Sequence, residues 1–235
     1  MQLTPLYEAL IYIEDKGTVS LPDLEFLTKP VLRGILGKME AMRLIEKINS
    51  EDLKISPKGQ NLLNQYLDNL HKGTIHWDGK WRIVSFSVPE TKRPLRDRYR
   101  REIESLGLKM ILTGLWLTPM PSKTYLEDIA KRLGIYQNVF ICETSEISTG
   151  ITQEELLLIW DFEKSKNEIY HFLEEADIFL KTKHKTSFEI KKMIFKYALI
   201  LENQPKVPIE LFPKDWPQFR ANLAYRKIRR LLTNR

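Results

Sequence analysis

The stretch from Trp77 to Pro119, WDGKWRIVSFSVPETKRPLRDRYRREIESLGLKMILTGLWLTP, decides the fold of the middle of the chain. Its first part, Lys80–Val88, alternates residues such that both faces carry apolar or aromatic side chains. A strand that can bury either face is typical of the interior of a sheet. Pro89 cannot donate to a strand ladder and so ends the segment. The sequence therefore predicts an inner β-strand.

A basic helix and a second strand are predicted to follow. Pro94 has the fixed φ that suits a first helical turn, so we expect a helix beginning near Leu95. Gly107 supplies a natural end for it. Residues 110–118, with Gly114 inside them, predict the second strand. Together with a helix near 125–133 and a strand near 138–142, these elements predict a small domain of ferredoxin-like topology.

Three motifs in this stretch occur in a fixed order: W-x-G-x-W at 77–81, F-x-V-P-E at 86–90 and G-x-W-x-x-P at 114–119. Together they resemble the central domain of the PaaX-like family of transcriptional repressors. The resemblance implies a dimeric DNA-binding repressor that recognises an inverted repeat and releases it when a metabolite binds. For the namesake group the metabolite is an aryl-acetyl-CoA thioester, which would make an acyl-CoA the effector class.

The same resemblance raises an alternative function. In this family the central domain is similar to the CRISPR spacer-acquisition nuclease, which places an acidic residue at the end of its first strand to hold a metal. The corresponding position here is Ser87, and a neutral hydroxyl is no substitute for a carboxylate as a main Mg²⁺ ligand. Glu90 and Asp97 lie nearby in sequence. A divalent-metal-dependent nuclease is therefore the alternative function. Under the main hypothesis, a regulator, we expect no enzyme activity, catalytic residue, metal or cofactor.

The basic helix of the central stretch offers candidate phosphate contacts. Guanidinium groups bind phosphate oxygens well because they donate two parallel hydrogen bonds. The partner would be the phosphates of a CoA effector, the DNA backbone, or neither. The four candidates are Arg93, Arg96, Arg100 and Arg101.

Composition favours a protein of the cytoplasm. The chain has 235 residues, a net charge of +6 and one cysteine, Cys142, which suits a reducing compartment. No apolar run approaches the ~20 residues of a membrane span, so we expect no membrane partner. Lys+Arg minus Asp+Glu is −1 for residues 1–74, +5 for 75–124, −8 for 125–177 and +10 for 179–235. Such alternation of charge is typical of a protein that binds partners, and equally of the solvent-exposed surface of an ordinary globular protein.

The N-terminal 74 residues predict helix, short strand, helix, helix, hairpin and helix, the order of a winged helix-turn-helix. A protein–protein module is the alternative. The third helix, from Thr28 to about Arg43, combines an apolar stripe with a face suited to reading a DNA groove. Seven residues from this helix and the hairpin are the candidate DNA contacts: Lys29, Arg33, Gly34, Gly37, Lys38, Asn49 and Lys54.

The C-terminal part predicts mainly helix. Its segment 208–217 resembles a further signature of the same family, with Gln218 where glycine is usual. In the closing helix, 219–232, the basic residues would meet DNA phosphates, an acidic partner chain, or water. Trp160 and Tyr170 belong either to the core or to an effector pocket.

These observations together predict an α+β protein of three domains. A winged helix-turn-helix spans 1–74, a ferredoxin-like domain with a possible dimer surface spans 75–148, and a mainly helical domain spans 149–235. The expected function is a cytoplasmic, dimeric repressor that binds double-stranded DNA.

Overall fold

A computed structural model describes residues 3–49, 52–147, 150 and 152–233. The chain is α+β and forms two compact units. The first contains Met1–Lys72, Ser165–Asn203 and Pro217–Arg235, and the second contains Gly73–Lys164 and Gln204–Trp216. One expected boundary, 74/75, falls close to a unit boundary. Segment 149–235 is shared between the units, and the expected division into three domains stays a prediction.

The N-terminal part of the first unit contains three helices and a small antiparallel sheet of order β1-β3-β2. The elements are α1 (Pro5–Lys16), β1 (Thr18–Ser20), a 3-10 helix (Leu21–Leu24), α2 (Lys29–Ala41), β2 (Ile45–Lys47), β3 (Asp52–Ile55), α3 (Pro57–Leu67) and a 3-10 helix (Asp68–His71). The second of the predicted N-terminal helices, expected over Leu21–Leu27, is shorter than predicted. Only Leu21–Leu24 is helical, as a single 3-10 turn, and Thr28 is extended ahead of α2.

Three C-terminal helices complete this unit: α7 (Phe162–Lys181), whose first turn lies in the second unit, α8 (Ser187–Glu202) and α9 (Gln218–Thr233). Phe195 of α8 shares one apolar core with the N-terminal elements and contacts the rings of Tyr7 and Tyr66. Lys191 and Lys192 of α8 pair with Glu14 at 2.8 Å and Glu8 at 2.7 Å on α1. Part of the C-terminal positive charge is therefore neutralised within the unit.

The second unit is built on a four-stranded sheet with two helices on one face. The elements are β4 (Trp81–Phe86), a 3-10 helix (Glu90–Lys92), α4 (Arg93–Ser105), β5 (Lys109–Leu112), β6 (Leu115–Thr118), α5 (Lys123–Arg132), a 3-10 helix (Tyr136–Asn138) and β7 (Val139–Thr144). The strand order is β5-β6-β4-β7, and all neighbours are antiparallel. This βαββαβ arrangement with β4 inside is the ferredoxin-like topology that the sequence predicted.

The expected single strand over 110–118 is wrong. The structure divides it into β5 and β6, which form a hairpin through Thr113 and Gly114. Gly114 has φ +78°, a left-handed conformation that glycine adopts without steric cost. The glycine therefore reverses the chain where the sequence pattern alone favoured a continuous strand.

The opposite face of the sheet is covered by an aromatic cluster. α6 (Gln153–Leu157) and the 3-10 helices Leu158–Trp160 and Ile209–Leu211 bring apolar side chains onto Trp81 and Leu117. Trp160 is buried, and its indole Nε1 donates to the carbonyl oxygen of Gly107 at 2.9 Å. This supports a core role for Trp160 over an effector pocket, while Tyr170 is half-buried on α7.

Candidate nucleic-acid interface

Helix α2 divides into a packed face and an exposed face. Leu32, Ile35 and Leu36 are partly buried against the core of the first unit, and Met39 is fully buried. This is the 3.6-residue period expected of an amphipathic helix. The apolar stripe predicted for this helix also included Met42, which lies just beyond the end of α2 and is exposed.

The exposed face of α2 carries the five residues predicted to read DNA: Lys29, Arg33, Gly34, Gly37 and Lys38. None of its three cations has an ion-pair partner among the residues that the structure describes. A Cβ atom added at either glycine would meet no atom within 4 Å. Packing within the chain therefore does not account for the glycines, although each costs roughly 1 kcal/mol of helix stability relative to alanine.

The two ends of α2 fix its direction. Thr28 is extended ahead of the helix, and Pro30 lies in the first turn. At the other end Arg43 is left-handed at φ +58°, and the amide of Leu44 donates to the carbonyl oxygen of Met39 at 2.8 Å. A Cβ on Gly59 of α3 would lie 2.1 Å from the carbonyl oxygen of Leu44. Helix α3 thus packs tightly on the connection that leaves α2.

The hairpin residues among the candidate contacts are engaged within the chain. The Asn49 side chain donates to the Asp52 carboxylate at 2.8 Å and accepts from the Asp52 amide at 2.7 Å. Lys54 pairs with Glu46 across β2 and β3 at 3.1 Å. Residues 50 and 51 lie outside the described residues. Both side chains support the hairpin, and a DNA contact would have to compete with these bonds.

Two cations were not among the predicted contacts. Arg43 and Lys58 are exposed and have no ion-pair partner in the described part of the chain. They flank the hairpin, and the Ser56 hydroxyl, which caps α3, donates to the carbonyl oxygen of Arg43 at 2.7 Å. The signal in the sequence was their position beside the predicted hairpin, since Arg43 lies two residues before β2 and Lys58 three residues after β3.

The four arginines proposed on α4 fall into two pairs. Arg93 and Arg96 bind the carboxylate of Glu90 at 3.4 and 3.0 Å, and both also lie within 4 Å of Asp97. Arg100 and Arg101 are exposed without an ion-pair partner among described residues. Within the set, the structure therefore leaves Arg100 and Arg101 as the cations open to a phosphate group.

The position that would carry a nuclease acid lies at a shallow cleft. Ser87 follows β4 and donates its amide to the carbonyl oxygen of Asn138 at 2.9 Å. The cleft has a volume of about 500 Å³ and is lined by Ser85, Phe86, Ser87, Gln137, Asn138, Val139 and Phe140. Glu90 and Asp97 are paired with the arginines described above. Among residues 3–49, 52–147, 150 and 152–233, no group of three or more His, Cys, Asp or Glu side chains could hold a metal ion.

A buried arginine explains the first motif of the central stretch. The Arg82 side chain is 4% exposed, donates from Nε to Glu143 at 2.9 Å and binds the Asp78 carboxylate with both terminal nitrogens. Gly79, at φ +75°, turns the chain between Asp78 and β4. The guanidinium of Arg82 holds the pKa of Asp78 below its usual value. The motif thus anchors the inner strand and has a structural role.

None of the helices in the described residues has both the length and the apolar character needed to cross a bilayer. No curated protein matches the chain. The fold is similar to that of the uncharacterized protein Rv0674 from Mycobacterium tuberculosis, with a TM-score of 0.55, 16% identity and coverage of 88% of this chain and 83% of that chain. Residues 74–156 match the PaaX protein central Cas2-like domain. This match confirms the resemblance of the central stretch to the PaaX-like family that the motifs indicated.

Proposed function

We propose that the protein is a transcriptional regulator that binds DNA through a winged helix-turn-helix formed by its N-terminal elements. In this proposal α2 is the recognition helix and β2–β3 is the wing. The observation that carries it is the exposed face of α2, where Lys29, Arg33 and Lys38 have no ion-pair partner in the described chain and two glycines leave the backbone open. Arg33 would contact a guanine edge, while the lysines would bind phosphates.

Repression, dimerisation and an effector are proposed from the resemblance of the central domain to the PaaX-like family. A dimer would place two copies of α2 on an inverted repeat, since operator symmetry mirrors the two-fold symmetry of the protein. A small metabolite of the acyl-CoA class would release the DNA. Arg100 and Arg101 are the candidates for its phosphates, because they are the two α4 candidates not occupied by carboxylates. The pairing of Glu90 and Asp97 with arginines gives no support to the nuclease alternative.

The glycines of α2 provide a test that separates folding from binding. We expect the double substitution Gly34→Ala, Gly37→Ala to raise the free energy of unfolding by about 1 kcal/mol per site, because each methyl enters open space on an exposed helix. The same methyls would hold the backbone away from a duplex. DNA affinity should therefore fall by about tenfold, which is ~1.4 kcal/mol. Chemical denaturation and fluorescence anisotropy measure the two effects on one preparation.

Gly59→Ala is the matched control. Its methyl would collide with the carbonyl oxygen of Leu44, so the expected change in stability has the opposite sign, a loss of at least about 1–3 kcal/mol. If the α2 double variant gained stability and kept full DNA affinity, α2 would not be the helix that approaches the duplex.

A further inference from the structure

The closing helix α9 carries an uncompensated positive charge. Its 16 residues include five basic side chains and no acidic one. All five are exposed, and none has an ion-pair partner among the residues described. They are Arg220, Arg226, Lys227, Arg229 and Arg230. The opposite face of the helix is anchored by Ala221, Tyr225 and Ile228, which are buried.

Lysines on neighbouring helices of the same unit are neutralised. Lys181 pairs with Asp177 at 2.6 Å, and Lys196 pairs with Glu175. Lys191 and Lys192 of α8 are paired with α1, as described above. The carboxylates of Asp177, Glu175, Glu14 and Glu8 are thus already bound to other cations, and none of them neutralises α9.

Helix α9 presents this charge on a fixed surface. The ring of Tyr225 stacks on Tyr197 of α8 with 5.3 Å between centroids. The Tyr197 hydroxyl donates to the Asn222 side chain at 2.6 Å and accepts from Gln218 at 2.7 Å. Because α9 and α2 belong to one compact unit, a duplex bound by α2 and a surface on α9 would be held by the same body.

We propose that α9 binds the sugar–phosphate backbone of duplex DNA without reading its sequence. This rests on the proposed function and adds a second contact surface to it. A helix of 16 residues is about 24 Å long, a length over which duplex DNA carries on the order of 14 negative charges. Phe219 and Leu223, which are 73% and 42% exposed, share a face with Arg226 and Arg230 and would pack on deoxyribose.

The test is the salt dependence of binding to a random-sequence duplex. Each phosphate contact contributes about 0.9 to the slope of log K against log salt. The triple variant R226Q/K227Q/R230Q should therefore show a slope smaller in magnitude by up to about 2.7. The conservative variant R226K/R230K should keep the slope of the unaltered protein, because it keeps the charge. Unchanged denaturation midpoints verify that α9 still packs in both variants.

A control variant removes three positive charges, as the triple variant does, but outside α9. The variant K80Q/K109Q/K183Q replaces three exposed lysines outside α2, α4 and α9, and should leave the slope unaltered. An equal reduction in slope for this control would overturn the proposal, since the effect would then come from total charge.

An unaltered slope for the triple variant would also overturn the proposal. If the dimer fraction in sedimentation fell at the same time, α9 would be a protein interface. Failure of the proposed function has a different signature: the unaltered protein would bind every sequence equally, while α9 would still determine the slope.

Discussion

Replacing Arg82 by alanine is expected to lower the free energy of unfolding of the second unit by about 3 kcal/mol. Truncating one partner of a buried ion pair typically costs about 3–5 kcal/mol, because the remaining charges lose their partner in a poorly solvated site. The lower end applies because the Asp78 side chain is 38% exposed and water can replace part of the interaction. Glu143, at 24% exposed, would lose its bond to Nε as well.

Chemical denaturation measures this loss, and Arg98→Ala is the matched control. Arg98 pairs with Glu102 at 3.1 Å but is 56% exposed, so its removal should cost less than about 1 kcal/mol. Equal losses for the two variants would contradict the anchoring role of Arg82.

The Arg82 variant should also change the acid sensitivity of the unit. Arg82 depresses the pKa of Asp78 in the folded state below its ordinary value of 3.8. The stability from this pair is therefore present above about pH 4 and is lost as the pH falls through the lower folded pKa. The alanine variant should lack this component, which denaturation at pH 7 and at acid pH would reveal.

The second large effect concerns Arg33. Arg33→Ala is expected to lose about 1–3 kcal/mol of discrimination between an operator and a random duplex, because a bidentate arginine–guanine contact contributes that amount. Lys38→Ala should instead weaken binding to both duplexes and reduce the salt slope by about 1. Both side chains are exposed and unpaired in the described chain, so folding should be unaltered within about 0.5 kcal/mol. Equal losses for Arg33→Ala on operator and random duplex would exclude it as a base contact.

Most of the helices and strands of the central domain could be predicted from the local sequence. The β-branched and aromatic run of β4, the proline at the start of α4 and Gly107 marked their boundaries. The hairpin at Gly114 was missed because a glycine inside an apolar run is compatible with a continuous strand as well as with a turn. Only the partner strand decides between them, and pairing is a tertiary property.

In the candidate site, too, some features could be predicted from the local sequence and others depend on tertiary contacts. The amphipathic period of α2 predicted which of its residues would be exposed, because that face depends on helix geometry alone. The ion pairs of Lys54, Arg93 and Arg96 depend on which carboxylates lie nearby in the folded chain. Residue spacing along a helix or strand does not predict all of these pairs. Likewise the uncompensated charge of α9 became visible only when the pairing of the neighbouring lysines was known.

The proposed function requires that α2 read a specific DNA sequence. The most direct measurement is a fluorescence-anisotropy titration of the full chain against duplex tiles of its own upstream region, with a scrambled control, at two salt concentrations. We predict tight binding to one tile that weakens with salt yet stays well above the control. Equal weak binding to every tile and to the control would contradict sequence-specific binding by α2.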